Sequence, residues 1–377
     1  MQKLFYILKL IVRKCCFIFV FLIFEPVSSN EKASFSHTIV FKRAKSLDNG
    51  ISISWLEQTW DKNILDEEIL KNTDFELLKT LGFKSIRLPV AFPFFEDQHI
   101  HDEQLFAIID KVVKQCSVYG FKLIIDYHYG NFNEKNYLTE TPRIIILWLK
   151  LAKRYKNISD DVLFFEIYNE PMRIDPAIWK DAAYNIVTAL RKADKNRTLI
   201  VGASNYNSIY ELSRFVRLGD ENIIYTFHFY EPFLFTHQGA TWVGDQEATV
   251  GVPFPNKKED FPNLYHKAKN TDGEKNYNQY PRDGNEQSIK DKLQIVKDWS
   301  DKYGVPILCG EYGVYNKYAD LDSRCRYIKA VHQTLKALDI PGIIWDYKSS
   351  FSIFVGPPSV NNLPPCMKSA IGFNDKK

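Results

Sequence analysis

The run Phe164-Phe165-Glu166-Ile167-Tyr168-Asn169-Glu170-Pro171 carries a strand-like stretch straight into an Asn-Glu pair and stops it at a proline. Aromatic and β-branched residues favour a buried, pleated surface. A carboxylate at the mouth of such a strand costs desolvation unless something nearby uses it. Taken alone, Glu170 could be a solvated glutamate at a capped strand end. Other strand-like runs end in the same manner: one on Arg87, one on His128, one on His228-Phe229-Tyr230, one on Glu311 and one on Trp345. Each has a plainer reading as well. Arg87 could sit in a structural ion pair, His128 and His228 could be satisfied core histidines, and Trp345 could be core packing. Their common position at strand ends is harder to explain that way. Two carboxyl groups in different surroundings can divide proton transfer and nucleophilic attack between them.

The elements that must position these side chains form a βα repeat. Strands are expected at 50–55, 84–90, 121–128, 162–170, 198–203, 222–230, 305–311 and 342–346. Between them run helices that end at Leu81 before Gly82, span Asp102 to Tyr119 before Gly120, open at Pro142 and reach Tyr155, begin near Pro176, span Ser288 to Tyr303 before Gly304, and span Arg324 to Leu338. Glycine after a helix supplies the left-handed stop. Eight strands alternating with helices match an α/β fold, a (β/α)8 TIM barrel in a single domain. An open doubly wound sheet is the competitor, and it lacks its usual cue, since no Gly-rich phosphate turn follows the first strand. In a barrel the C-terminal strand ends surround one mouth, so the polar residues would converge. The segment 231–287 shows no clear helix or strand and leaves a strand whose end carries two of those residues. Connections of that length are usually lids or binding loops.

Composition excludes several classes. In 377 residues, 49 Lys and Arg against 46 Asp and Glu leave a formal charge of +3, which suits neither a polybasic nucleic-acid binder nor an acidic disordered tail. Lys9, Arg13 and Lys14 precede the apolar run Cys15 to Phe24, and small residues Val27, Ser28 and Ser29 follow at cleavage-site spacing. That layout reads as a signal peptide over 1–29 and a mature domain over 30–377, exported to the periplasm, the cell surface or the medium. A membrane is involved only if the segment stays uncleaved as an anchor. Of the cysteines outside this leader, Cys325 and Cys366 are the expected disulfide pair, because Cys309 falls in a strand-like run and Cys116 in a helical one. No C-x-x-C spacing suggests zinc.

The ordered set resembles glycoside hydrolase family 5, the cellulase and mannanase family, over about residues 45 to 350. The resemblance rests on Ile167-Tyr-Asn-Glu-Pro171, Cys309-Gly-Glu-Tyr-Gly313 and His228-Phe-Tyr230 between them, with Arg87, His128 and Trp345, and no member of the family's active-site set is missing. It implies Glu170 as acid/base and Glu311 as nucleophile of a retaining endo-glycosidase on a β-1,4-linked polysaccharide, with mannan or another β-glucan as alternative substrate. Arg87 and Tyr230 would hold Glu311, Asn169 would bond the sugar 2-hydroxyl, His228 would hydrogen-bond near Glu170, His128 would line the pocket, and Trp345 would face the sugar. Trp242, and less clearly Trp55 and Trp60, are candidate sugar platforms, while Asp126 and Glu166 fall outside the matched set. No cofactor or metal is required, and the expected form is a monomer with a polysaccharide or oligosaccharide as its partner. A non-catalytic carbohydrate-binding barrel is the reading from a different class, and it would have predicted loss of one glutamate.

Overall fold

Eight parallel strands close on themselves in chain order, β1 through β8, with β1 hydrogen-bonded to both β2 and β8. They are β1 Gly50–Ser52, β2 Ser85–Val90, β3 Lys122–Tyr127, β4 Leu163–Glu166, β5 Leu199–Gly202, β6 Ile223–Phe229, β7 Ile307–Tyr312 and β8 Gly342–Ile344. The computed structural model describes residues 38–57, 65, 71–244 and 248–373. The leader segment and Trp60 lie outside the described residues. Among the described residues, no helix is long and apolar enough to cross a membrane.

Inside the barrel the side chains form levels, because alternate residues of a strand face the same way. Ile124, Phe164, Ile200, Ile224, Leu308 and Ile343 form an apolar plug from six successive strands. The helix Ile39–Ser46 closes this plug from below with Val40, Ala44 and the following Leu47. Two residues further along β3 and β4, the same face carries Asp126 and Glu166, which pair in register. The interior thus turns from hydrocarbon to charge within one step of the pleat.

The helices fall largely where their caps place them. Asp102–Tyr119 stops at Gly120 and Glu286–Tyr303 at Gly304, both glycines left-handed. Pro142 does not open its helix, which runs Tyr137–Arg154 with the proline inside. An asparagine turn starts it instead: the Asn133 N–H donates to Asn136 Oδ1 at 2.8 Å and the Lys135 N–H to Asn133 Oδ1 at 2.9 Å. The carbonyl that Pro142 leaves without its helical donor belongs to exposed Leu138, where water can bond it.

The 231–287 segment departs from expectation, since it contains the helix Asp272–Asp283. Gly, Asn and Pro in its sequence disguise it. Thr271 caps it by accepting from the Gly273 N–H at 3.1 Å. Its one aromatic face, Tyr277 and Tyr280, stacks on Phe261 at 4.7 and 5.5 Å between ring centroids. Phe235 and Phe254 are buried against each other and Tyr327, so the segment is folded onto the barrel rim. Cys325 and Cys366 form a disulfide with Cα atoms 5.7 Å apart, joining the helix Leu321–Ala337 to the short helix Pro365–Ala370. Cys116 and Cys309 are buried and free, as their elements suggested.

Candidate active site

Arg87 is the centre of the site. It stands on β2 with no solvent exposure, and such a charge must be paired to persist there. Its Nε and Nη2 donate to the two oxygens of Glu166 at 2.7 and 2.9 Å, a bidentate fork. Nη2 also lies 3.0 Å from Asp126 Oδ2 and donates to Asn169 Oδ1 at 2.6 Å, while Nη1 donates to Glu311 Oε1 at 2.7 Å. One cation therefore faces three buried carboxyl groups. Burial raises Asp126 to about 7 against the pull of Arg87, and it raises Glu166 as well. Asp126 and Glu166 are thus part of the machinery that orients Arg87, although the sequence comparison with the family leaves them out. The signal was present: an arginine in a buried strand needs carboxylates within reach of its guanidinium.

Glu311 reaches the mouth through a break in the β6–β7 register. Phe227 pairs with Cys309, but His228 pairs with Glu311, so Gly310 is bulged out of the ladder. Leu308 belongs to the interior plug, and strict alternation would turn Glu311 away from the interior. The bulge turns it back. Gly310 must lack a side chain, because a Cβ there would stand 2.6 Å from Thr226 Oγ1 and 3.3 Å from His228 Nε2. Gly313 is constrained in the same way by the backbone carbonyl of Trp345. Once in place, Glu311 Oε2 accepts from the Tyr230 hydroxyl at 2.8 Å.

Glu170 faces Glu311 across His228. A carboxylate oxygen of Glu170, a ring nitrogen of His228 and a carboxylate oxygen of Glu311 all lie within 4.8 Å of one another. His228 Nδ1 is 2.6 Å from Glu170 Oε1 and 3.4 Å from Glu311 Oε2. Among the described residues this is the one triad that could converge on a metal ion. The 2.6 Å contact is too close for two ligands of one tetrahedral zinc, whose ~2.0–2.1 Å bonds set ligands roughly 3.3 Å apart. Although 28% of the Glu170 side chain is reachable by water, the groove walls strip much of the hydration from its carboxyl group. Burial therefore raises it to about 7, with Arg87 opposing. Burial lowers His228 to about 4, so its imidazole is neutral beside the acid at neutral pH.

His128 hydrogen-bonds Asp126 Oδ2 through Nδ1 at 2.7 Å, and burial, then Arg87, lowers it to about 3. Its ring lies parallel to Trp345, 7° between planes and 5.6 Å between centroids. Trp345 packs with Ala240, Tyr315 and Phe351. Asn169 has its side-chain oxygen engaged by Arg87, which leaves its amide NH2 as the group able to donate. Trp242 is 56% exposed and meets Tyr315 edge-on at 4.8 Å and Phe351 at 6.2 Å. Trp55 is buried in the main core, so packing is its role. The structure brings Glu170, Glu311, Arg87, His128, Asn169, His228, Tyr230 and Trp345 to one mouth, with Trp242 at its rim. It adds Glu57, which the sequence reading passed over. Glu57 ends the 3-10 turn Ser54–Glu57 after β1, 3% exposed, with its Oε2 lacking a hydrogen-bond partner among the described residues.

Comparison with known proteins places this geometry. The profile of Cellulase (glycosyl hydrolase family 5) matches residues 46–350. Endoglucanase C of Acetivibrio thermocellus is 30% identical over 326 residues, covering 82% of this chain and 94% of that protein. Endoglucanase 3 of Fibrobacter succinogenes is 28% identical over 361 residues, and there the match spans 89% of this chain but only 54% of the relative. The crystal structure of an endoglucanase from hyperthermophilic Thermotoga maritima superposes with a TM-score of 0.71 at 26% identity, over 88% of this chain and 99% of that one. Structures of the Thermotoga enzyme in complex with cellobiose and with mannotriose align equally well, each with a TM-score of 0.71.

Proposed function

Because the chain belongs to the cellulase family, glycosyl hydrolase family 5, we propose that it cleaves β-1,4-linked glucan internally, with retention of anomeric configuration. The observation that carries this reading is the approach of the Glu170 and Glu311 oxygens within 4.8 Å, bridged by one histidine. Retaining glycosidases set their carboxyl groups about 5–5.5 Å apart, whereas inverting ones leave roughly 6.5–9.5 Å for a water. In the first step Glu311 attacks the anomeric carbon while Glu170 gives its proton to the departing glycosidic oxygen. In the second, Glu170 takes a proton from water, the water oxygen bonds to the anomeric carbon, and the Glu311 carboxylate is released. Each step leaves the acid/base in the state the next one needs.

The remaining side chains serve these two events. Arg87 and Tyr230 hold the Glu311 carboxylate with one hydrogen bond on each oxygen, which fixes its direction of attack. Asn169 offers its NH2 to the sugar 2-hydroxyl, a contact that strengthens as oxocarbenium character develops. Neutral His228 keeps the Glu170 carboxyl oriented without adding a charge that would strip its proton. Trp345, parallel to His128, gives the reacting sugar a flat wall. The match to a structure holding mannotriose favours β-mannan as a second substrate on the same machinery. Reducing-sugar release from carboxymethyl cellulose, glucomannan, lichenan and laminarin tests the assignment. Glucan with β-1,4 linkages should be cut fastest, with a rapid fall in viscosity; hydrolysis confined to laminarin, or to chain ends, would overturn it.

A further inference from the structure

Glu170 stands beyond the part of β4 that the barrel ladder holds. The strand ends at Glu166, and the acid follows in irregular chain just before Pro171. Bonds of the ladder kind continue only part of the way: the Ile167 N–H donates to the Ile200 carbonyl at 3.0 Å and the Asn169 N–H to the Tyr127 carbonyl at 3.0 Å. The carbonyls on either side of the acid are caught from the turn after β5 instead. Asn207 Nδ2 donates to the Asn169 carbonyl at 3.3 Å, and the Tyr206 N–H donates to the Pro171 carbonyl at 3.1 Å. Asn207 has no solvent exposure. Its Oδ1 accepts from the Ala203 N–H at 3.1 Å, which ties the amide to the end of its own strand.

The backbone is strained to make those two bonds. Asn205, Tyr206 and Asn207 are left-handed in succession, at φ 53°, 60° and 58°. Asparagine tolerates that region, but a tyrosine adopts it at a cost, and such residues persist where the contacts around them over-determine the shape. The strand end is cut to fit as well, since a Cβ on Gly202 would stand 2.6 Å from Asn207 Cγ. We propose that Asn207, with the Tyr206 N–H, is the positioning clamp of the acid, fixing the main chain on both sides of Glu170 and so setting how its carboxyl meets the departing glycosidic oxygen. This rests on the glycosidase reading above and deepens it. His228 holds the tip of the Glu170 side chain, but a bond at the tip leaves the Cα free to shift. The clamp holds the other end, and small displacements of a catalytic group are costly. The Asn169 side chain is held separately, because Arg87 donates to its Oδ1. Loss of the clamp should therefore fall on proton donation rather than on the nucleophile or the sugar contact.

The test uses two aryl β-cellobiosides that differ only in the leaving group. Dinitrophenolate departs without a proton, whereas unsubstituted phenolate needs one from Glu170. The ratio of kcat/KM on the phenyl substrate to that on the dinitrophenyl substrate therefore measures the placement of the acid. Asn207→Gly suits the left-handed backbone and removes the side chain. It should lower that ratio about tenfold or more, while kcat/KM on the dinitrophenyl substrate falls no more than about threefold. Asn207→Asp keeps the shape and the bond from Ala203 but offers no N–H to the Asn169 carbonyl, so it should show the same selective loss. Equal losses on the two substrates would overturn the proposal, since a merely structural residue harms nucleophile and acid alike. An unchanged ratio in Asn207→Gly would overturn it too. So would a ratio restored in Asn207→Asp, which would assign the effect to the turn's own fold. If Asn207→Gly does not fold, the isosteric Asn207→Asp decides alone. A wild type inactive on both cellobiosides and on glucan would sink the glycosidase reading itself, a distinguishable result.

Discussion

At the scale of single residues, the two glutamates differ in surroundings more than in position. Glu311 has a strong donor on each oxygen, and Glu170 has one neutral histidine and a groove that strips its hydration. A carboxyl raised to about 7 is protonated below that pH and can donate; above it the donor is lost. Turnover should therefore fall on the alkaline side, approaching tenfold per pH unit, with an apparent midpoint near 7. Glu170→Gln should lower kcat by roughly 10²–10⁴, the usual worth of a general acid, and should abolish that alkaline limb. Glu311→Gln should eliminate the covalent adduct with a fluorinated glycoside. An adduct at undiminished rate in that variant, seen by mass spectrometry, would remove Glu311 as nucleophile. The linkage has a stability side. Glu170 and Asp126 sit near 7 in the native state, above an unfolded carboxyl at about 4. The native state holds more protons in that window, so these two groups add stability at its acidic end that is lost as pH rises to 7.

At the scale of elements, the bulge at Gly310 and the long β6–β7 connection do most to shape the mouth. The first turns one side chain inward; the second sets what a long substrate meets. Its phenylalanines Phe235 and Phe254 are consumed in packing on the rim, but Trp242 is left in solvent beside Tyr315 and Phe351. Phe351 in turn lies 6.0 Å from the ring of Tyr230, which bonds Glu311. An exposed indole at that point suits stacking on a sugar ring. Trp242→Ala should therefore reduce kcat/KM on cellopentaose several-fold more than on an aryl β-cellobioside, since remote binding is used to orient the reacting bond. Equal effects on the long and the short substrate would make Trp242 a packing residue.

At the scale of the whole molecule, the barrel is closed by hydrogen bonds all round, and its C-terminal edge is fastened separately. The Cys325–Cys366 disulfide closes a loop of sequence separation 41 and pins the helix Pro365–Ala370 to the helix Leu321–Ala337. Loop closure of that length is worth about 4 kcal/mol in the unfolded-chain account, with ~2–4 commonly measured. Replacing both cysteines by serine should lower stability by about 2–4 kcal/mol in urea unfolding while leaving kcat within twofold, because neither cysteine lines the mouth. A loss of activity in folded double variant would contradict that separation. Such a bond persists in oxidising compartments, and we propose export, with a mature chain beginning near Asn30 as the small residues after the apolar leader run suggest. N-terminal sequencing of the exported protein, taken with its thiol count, checks both points.

Much of this was legible in the chain itself. Strand and helix periods, the glycine stops at Gly120 and Gly304, and the polar residues at strand ends predicted eight βα units with one shared mouth. Local chemistry decides such features, so sequence carries them. The asparagine-turned start of the helix Tyr137–Arg154, ahead of Pro142, and the whole helix Asp272–Asp283 escaped, because caps and packing override poor local propensity there. Trp55 was ambiguous until its burial was seen, since an indole serves core and cleft equally well. Asp126 and Glu166 had no motif to mark them; they matter because they pair with each other on β3 and β4, two residues beyond the level of Arg87, where its guanidinium reaches both. The direction of Glu311 is the sharpest case. Alternation from Leu308 turns it outward, and only the register shift against β6, a contact between strands some eighty residues apart, turns it in. Residue types and strand ends are local and were determined by sequence; level, register and facing are relations between strands, and only the closed barrel decided them.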